Sequence, residues 1–143
     1  FNAYGPGQHL PPVHAPVIPN FLRQSCQNGT IVVHGDGSQT RDYVYVDDVV
    51  NAMVAAATAP DINQKIINVG SGTETSVREL VNQVLEVAGG KPEVVYNPRN
   101  EGGVRRMRAD LTLAEQLLGY RPAVDLKTGL SMTLEFDKRI KQK

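Results

Sequence analysis

Runs of β-branched and aromatic residues alternate along this chain with segments in which apolar residues recur every three or four positions. Four short runs predict strands, at residues 30–34, 41–46, 66–69 and 93–96. Gly, Pro, Asn or Asp, the residues that favour turns, lie at the ends of most of them. The alternation of strands and helices predicts an α/β fold.

Helices are predicted over about residues 15–27, 48–58, 77–88 and 111–118, with a last one running from 126 into the basic tail. The clearest start is Ser76, because Glu79 follows three positions later and completes a capping box. Other helix starts are assigned to an N-cap carboxylate, at Asp47 or Asp48, Asp110 and Asp125. In the 111–118 helix, Leu113, Leu117 and Leu118 are expected to face inward, and Gly119 ends the helix.

Composition narrows the classes of protein. Fifteen Lys and Arg balance fifteen Asp and Glu, and this zero net charge argues against a dedicated nucleic-acid binder. The length of 143 residues predicts one domain. No apolar run approaches the roughly 20 residues that span a bilayer. Cys26 is the one cysteine, which is typical of a reducing compartment, so we expect a cytoplasmic protein. Because the sequence starts at Phe1 rather than Met, we also expect the natural chain to begin upstream.

Arginines are the strongest candidates for chemistry. Arg41 follows a glycine-rich turn and enters a strand, where a guanidinium can grip a phosphate with paired N–H donors; a salt bridge to Asp36 or Asp42 is the alternative. A second concentration of guanidinium groups predicts an anion site or a solvated loop, and its members are Arg99, Arg105, Arg106 and Arg108.

Other motifs carry weaker signals. The loop 70–72, Gly-Ser-Gly, could cradle a phosphate on its amides or simply precede a helix. The pair Asp47-Asp48 is more consistent with a helix cap than with acid–base chemistry. The three histidines and the cysteine lack the spacing of metal ligands.

Several motifs, taken in order, resemble the extended short-chain dehydrogenase/reductases, the family of NAD-dependent nucleotide-sugar epimerases and dehydratases. The opening Phe-Asn-Ala-Tyr-Gly-Pro-Gly-Gln at 1–8 resembles the segment after that family's catalytic region. The stretch 35–50, Gly-Asp-Gly-Ser-Gln-Thr-Arg-Asp-Tyr-Val-Tyr-Val-Asp-Asp-Val-Val, looks like its most recognisable C-terminal motif. Asn-Val-Gly-Ser-Gly at 68–72 and Leu-Gly-Tyr-Arg-Pro at 118–122 continue the match.

The resemblance implies a small nucleotide-sugar-binding domain, residues 1–143, of an extended Rossmann-type enzyme. Remnants of the parallel sheet are then expected at the end of a strand at 1–2 and at the strand 66–69. The N-terminal Rossmann half, absent from this chain, would hold NAD. By resemblance, Arg41 contacts the diphosphate and Asn2 reaches the sugar phosphate, while the region of Val17, Ile18 and Phe21 lies near the base.

A second phosphate-binding arginine is implied in the loop 98–106, where the sequence departs from the family pattern. Asn100 stands where an Arg is expected and Gly103 where an Asp is expected. We therefore expect Arg99 or Arg105 to face the diphosphate instead.

The family's Gly-rich NAD turn and its Tyr-x-x-x-Lys pair are both absent from this sequence. We accordingly expect this chain to bind no NAD and to be inactive alone, as the substrate-binding half of a UDP-glucose 4-epimerase-like enzyme or of a dTDP-sugar 4,6-dehydratase-like enzyme. Two alternatives are a non-catalytic nucleotide-sugar-binding module and a structural fragment. We also expect self-association through Ile66, Ile67 and Val69, which would lose their strand partners without the other half.

Overall fold

The computed structural model describes residues 1–11, 13–98 and 103–142. Within those ranges the strands are β1 (Asn2–Tyr4), β2 (Thr30–His34), β3 (Thr40–Arg41), β4 (Tyr43–Tyr45), β5 (Thr75–Ser76) and β6 (Glu93–Asn97). The helices are α1 (Val17–Cys26), α2 (Val46–Thr58), α3 (Val77–Ala88), α4 (Thr112–Leu118), α5 (Leu126–Phe136) and α6 (Lys138–Lys141). The predicted α/β class is confirmed.

The strands form three two-stranded sheets in the described part of the chain. The pairs β1–β4 and β2–β6 are parallel, and β3–β5 is antiparallel with Arg41 opposite Thr75. Parallel pairing needs a long crossover connection, and both parallel pairs have one that contains a helix. The predicted strand end at residues 1–2 is therefore part of a parallel pair.

The main core lies where α1, α3 and α5 pack together and against β2 and β4. Alternation along β2 turns Ile31 and Val33 inward, and both are fully buried. The apolar stripe of α3 supplies Leu80, Val81 and Val84 to the same core. Strand β4 adds Tyr43 and Tyr45 to this core, which fixes the position of the chain next to Arg41.

The ends of α3 follow the sequence prediction closely. The Ser76 hydroxyl accepts a hydrogen bond from the Glu79 amide at 3.1 Å, and the Glu79 carboxylate accepts one from the Ser76 amide at 2.8 Å. Gly89 ends the helix in the left-handed conformation, with φ of 67°. The capping box and the helix that it opens are both confirmed.

The predicted strand at 66–69 is not formed within the described part of this chain. The segment forms no ladder with a described strand, and one hydrogen bond, from the Phe1 ammonium to the Val69 carbonyl at 3.0 Å, links it to the start of β1. A strand needs a backbone partner along its length, whatever its apolar content. Ile67 and Val69 instead pack beside Ala52 and Tyr120, while Ile66 is 90% exposed.

Two predicted N-caps are also wrong, and one is confirmed. Helix α2 begins earlier, after Tyr45, so the predicted strand 41–46 is split into β3 and β4 and ends before residue 46. Asp48 then lies inside the first turn, where its carboxylate accepts from the amides of Ala123 and Val124. Asp110 precedes α4 and bonds the Thr112 amide from outside the helix, whereas Asp125 caps α5 as expected.

The inward face predicted for α4 is partly wrong as well. Leu113 is 45% exposed, whereas Ala114 is fully buried against Ala52 and Tyr120. Leu117 and Leu118 are half-buried. The shorter helix therefore turns its smallest residue toward α2, since close approach of two helices favours a small side chain there.

Candidate anion-binding site

Arg41 lies at the end of β3, where the chain passes between β5 on one side and the segment 103–108 on the other. Its Nη1 donates to the Val104 carbonyl at 2.7 Å and to the Thr40 carbonyl at 2.7 Å. Neither Asp36 nor Asp42 pairs with it, so the salt-bridge alternative is wrong. The remaining guanidinium donors, Nε and Nη2, have no acceptor among the described residues.

Asp42, the next residue, is fully buried and accepts four hydrogen bonds. The Ser71 amide and hydroxyl donate to Oδ1 at 2.6 and 2.9 Å, and the amides of Gly72 and Ala109 donate to Oδ2, both at 2.9 Å. The phosphate-cradle interpretation of the loop 70–72 is therefore wrong, because an internal carboxylate takes those amides. The same carboxylate holds β4 to the loop 70–72 and to Ala109, which fixes Arg41 from the other side.

The segment 103–108 approaches Arg41 through its backbone. Arg105 accepts a hydrogen bond from the Thr40 amide at 2.9 Å through its carbonyl, and its side chain is exposed. Gly103 has φ of 98°, and a side chain there would begin about 4.0 Å from Arg41 Nη2. Arg105 and Arg41 thus lie on neighbouring segments of the chain, which is compatible with the prediction that both face one diphosphate.

Two other arginines of the cluster are already occupied. Arg106 donates to Glu74 from Nε at 2.8 Å and from Nη2 at 2.7 Å, and Arg108 donates from Nε to the Gly72 carbonyl at 2.7 Å. Hydrogen bonds from the Arg106 guanidinium, and then from the Thr40 hydroxyl, lower the pKa of Glu74 to about 2. Glu74 is therefore a carboxylate at any ordinary pH. It is a residue that the sequence analysis missed, because its role depends on a partner 32 positions away.

Asn2 lies at the start of β1, opposite Tyr43 in the register. Its side-chain amide donates to the Asp42 carbonyl at 3.2 Å and approaches the Met107 sulfur at 3.5 Å. The parallel pairing of β1 with β4 therefore places Asn2 beside the segment that carries Arg41. The structure brings Asn2, Arg41 and Arg105 into one neighbourhood around residues 103–107.

The three residues predicted near a nucleotide base lie in α1. Ile18 and Phe21 are 1% and 4% exposed and belong to the main core, which accounts for their apolar character without a ligand. Val17 is half-buried at the start of α1. Arg99, the other predicted phosphate ligand, lies outside the described residues.

Grooves flank the loop whose amides bind the Asp42 carboxylate. Two grooves, of about 660 and 720 Å³, flank the loop 71–73 on the sides of α3 and of α4, and neither is lined by Arg41 or Asn2. No cluster of His, Cys, Asp and Glu fit to hold a metal ion is present in the described ranges. Nor does any helix there have the length and apolar character to cross a membrane.

Comparison with known proteins adds a family to this geometry. Residues 1–70 match the NAD dependent epimerase/dehydratase family. The chain is 42% identical over 135 residues to UDP-glucose 4-epimerase of Mycolicibacterium smegmatis. The match covers 94% of this chain and 42% of that relative. It is 32% identical to UDP-N-acetyl-alpha-D-glucosaminuronate decarboxylase of Bacillus cytotoxicus, over 98% of this chain and 45% of that relative.

Solved structures agree with the sequence matches. UDP-glucose 4-epimerase from Thermotoga maritima, solved with UDP-glucose, superposes with a TM-score of 0.86 at 38% identity, over 94% of this chain and 43% of that one. UDP-glucuronic acid 4-epimerase from Bacillus cereus, solved with UDP-glucuronic acid and NAD, gives 0.86 at 28% identity, over 98% and 44%. The chain therefore spans less than half the length of the proteins that it matches.

Proposed function

This chain carries part of an NAD-dependent epimerase/dehydratase family domain, and from that premise we propose that it binds the diphosphate of a nucleotide sugar through Arg41. Asn2 and Arg105 flank the bound diphosphate, with Arg99 as the other expected ligand. The relatives described above act on UDP-sugars by name, which favours uracil over thymine as the base. The proposed role is therefore the substrate-binding half of a UDP-sugar epimerase of the UDP-glucose 4-epimerase type.

The observation that carries the proposal is the state of the Arg41 guanidinium. Its Nη1 is anchored on two carbonyl oxygens, while no described carboxylate neutralises its charge. An anchored guanidinium whose remaining N–H donors meet no acceptor among the described residues is well suited to paired hydrogen bonds with phosphate oxygens. Binding energy gained there, remote from the reacting carbon, orients the sugar in an intact enzyme.

The residues present do not fit NAD. The sequence has no Gly-x-Gly-x-x-Gly turn, and the amides of Ser71 and Gly72 are already bound to Asp42. We propose that NAD belongs to a Rossmann half outside this chain, which would supply the hydride chemistry and the Tyr-x-x-x-Lys pair. The isolated chain is then catalytically silent, and turnover of a UDP-sugar or co-purified NAD would contradict this.

Calorimetric titration of the chain with UDP-glucose tests the binding proposal. Replacing Arg41 by Ala removes a charge-assisted contact, so we expect the binding free energy to weaken by about 1.5–3 kcal/mol, roughly a tenfold to 150-fold loss of affinity. Arg41→Lys keeps the charge but loses the planar fork, and we expect an intermediate loss. Arg121→Ala is the matched control, because that exposed guanidinium already has a partner in Glu115. Equal affinities for the unaltered chain and for Arg41→Ala would refute the clamp.

Self-association is a second proposal, carried by the exposed Ile66. Ile66 is 90% exposed, and α2 adds Val50, Met53 and Val54 at helical spacing, each at least 48% exposed. Removal from water favours a partner over these apolar side chains. Sedimentation velocity of the chain and of Ile66→Asp tests it: we expect association that the charged variant weakens. A monodisperse monomer would contradict it, and association without UDP-sugar binding would favour the structural-fragment alternative.

A further inference from the structure

We infer that Glu74 and Arg106 are positioning residues for the anion site at Arg41. Their ion pair holds the segment 103–108 against β3, and the Arg106 guanidinium neutralises the Glu74 carboxylate beside the bound anion. The inference rests on the proposed function. It assigns a task to a side-chain cluster that the diphosphate contacts themselves do not use.

The geometry of Glu74 links both walls of the site. Its Oε1 accepts from the Thr40 hydroxyl at 2.7 Å, and the two carboxylate oxygens accept from Nε and Nη2 of Arg106. Thr40 also bonds the Arg105 carbonyl through its amide and the Arg41 guanidinium through its carbonyl. One carboxylate therefore ties β3, which carries Arg41, to the chain segment that supplies Arg105.

The pair lies largely at the surface, with 79% of the Arg106 side chain exposed and 23% of that of Glu74. An exposed ion pair adds little to the stability of a fold. Its value here is positional, since paired N–H donors fix the direction of the guanidinium as well as its distance. The pair also neutralises Glu74, which is separated from Arg41 by Thr40 alone in the hydrogen-bond network.

Replacing Arg106 and replacing Glu74 should therefore change anion binding by different amounts. In Arg106→Ala the Glu74 carboxylate stays charged beside the site and repels a diphosphate, in addition to the loss of the tether. In Glu74→Ala the tether is lost as well, but the freed Arg106 leaves an additional positive charge nearby. A role confined to folding predicts similar effects for the two variants and no dependence on ligand charge.

Titration with uridine diphosphate separates these cases. We expect Arg106→Ala to weaken binding by about tenfold and Glu74→Ala by about threefold or less. We expect Glu74→Ala/Arg106→Ala to regain most of the difference, because the unpaired carboxylate is gone. High salt should shrink the gap between the single variants by screening. Glu115→Ala and Arg121→Ala, which break a surface pair with the same 2.7 Å contact, serve as controls and should leave binding unchanged.

A ligand-free measurement makes the outcomes distinguishable. Hydrogen exchange of the Thr40 amide, which donates to the Arg105 carbonyl, should quicken in both single variants, while that of the Gly89 amide, which donates to the Leu85 carbonyl at the end of α3, stays unchanged. Unaltered Thr40 exchange, or UDP binding that Arg106→Ala does not weaken, would overturn the positioning role. No UDP binding by the unaltered chain would instead refute the proposed function, with Thr40 exchange still reporting whether the pair holds the segment.

Discussion

Replacing Asp42 by Asn isolates what a buried carboxylate contributes to the segment that carries Arg41. Asp42 is 0% exposed and receives four donors, two at each carboxylate oxygen. An Asn side chain keeps one acceptor oxygen, which can serve the Ser71 amide and hydroxyl. Its amide group then faces the N–H groups of Gly72 and Ala109, so donors oppose donors. The amides of Gly72, which is half-buried, and of Ala109, which is buried, then lose their acceptor.

The magnitude follows from those two amides. Each buried donor left without a partner costs about 1–3 kcal/mol, so we expect Asp42→Asn to lower the free energy of unfolding by about 3–5 kcal/mol. Since small domains unfold with about 5–15 kcal/mol, this is a large share of the total. Equilibrium unfolding in urea, followed by circular dichroism, measures the difference.

Asp48→Asn provides the matched control. Asp48 is equally inaccessible, at 2% exposure, but receives two amides, from Ala123 and Val124, at 3.0 and 3.1 Å. An Asn at this position loses one acceptor interaction rather than two, so we expect about half the cost. A loss below about 1 kcal/mol for Asp42→Asn, or a larger loss for Asp48→Asn, would refute the counting of buried donors.

Two further predictions concern helix ends. Ser76→Ala removes the two hydrogen bonds that the Ser76 hydroxyl makes with Glu79 at the start of α3 and should cost about 1–2 kcal/mol in urea unfolding, whereas Ser131→Ala on exposed α5 surface should cost less than about 0.5 kcal/mol. Hydrogen bonds from Arg139 lower the pKa of Asp137 to about 2, so its stabilising charge is present above about pH 4 and is lost as pH falls toward 2. Asp137→Asn should therefore flatten the acid decline of the urea midpoint below about pH 4, and an unchanged slope would contradict this.

Local sequence was sufficient wherever the deciding contacts are a few residues apart. The capping box at Ser76, the left-handed Gly89 and the Asp125 cap depend on neighbours within one helical turn, and all three are confirmed. The β2 alternation and the apolar stripe of α3 likewise record which side faces the core. The ordered motifs around residues 35–50 also predicted the family that residues 1–70 match.

Contacts distant in sequence decided the rest. Asp48 was expected as a cap because an Asp before an apolar helix usually is one, but tertiary packing directs it to Ala123 and Val124, 75 and 76 positions away. The segment 66–69 forms no strand here because no described strand supplies it with a backbone partner, which apolar content alone does not reveal. The exposure of Ile66 is the visible consequence.

The candidate site divides in the same way. The sequence by itself singled out Arg41 as a candidate, because a guanidinium after a glycine-rich turn is a local feature. Only the tertiary structure decided which anion occupies the amides of Ser71 and Gly72, and which arginines of the 105–108 cluster remain available. Those outcomes depend on Asp42 and Glu74, whose partners lie roughly 30 positions away, and a hydrogen bond over that separation leaves no periodic trace in the sequence.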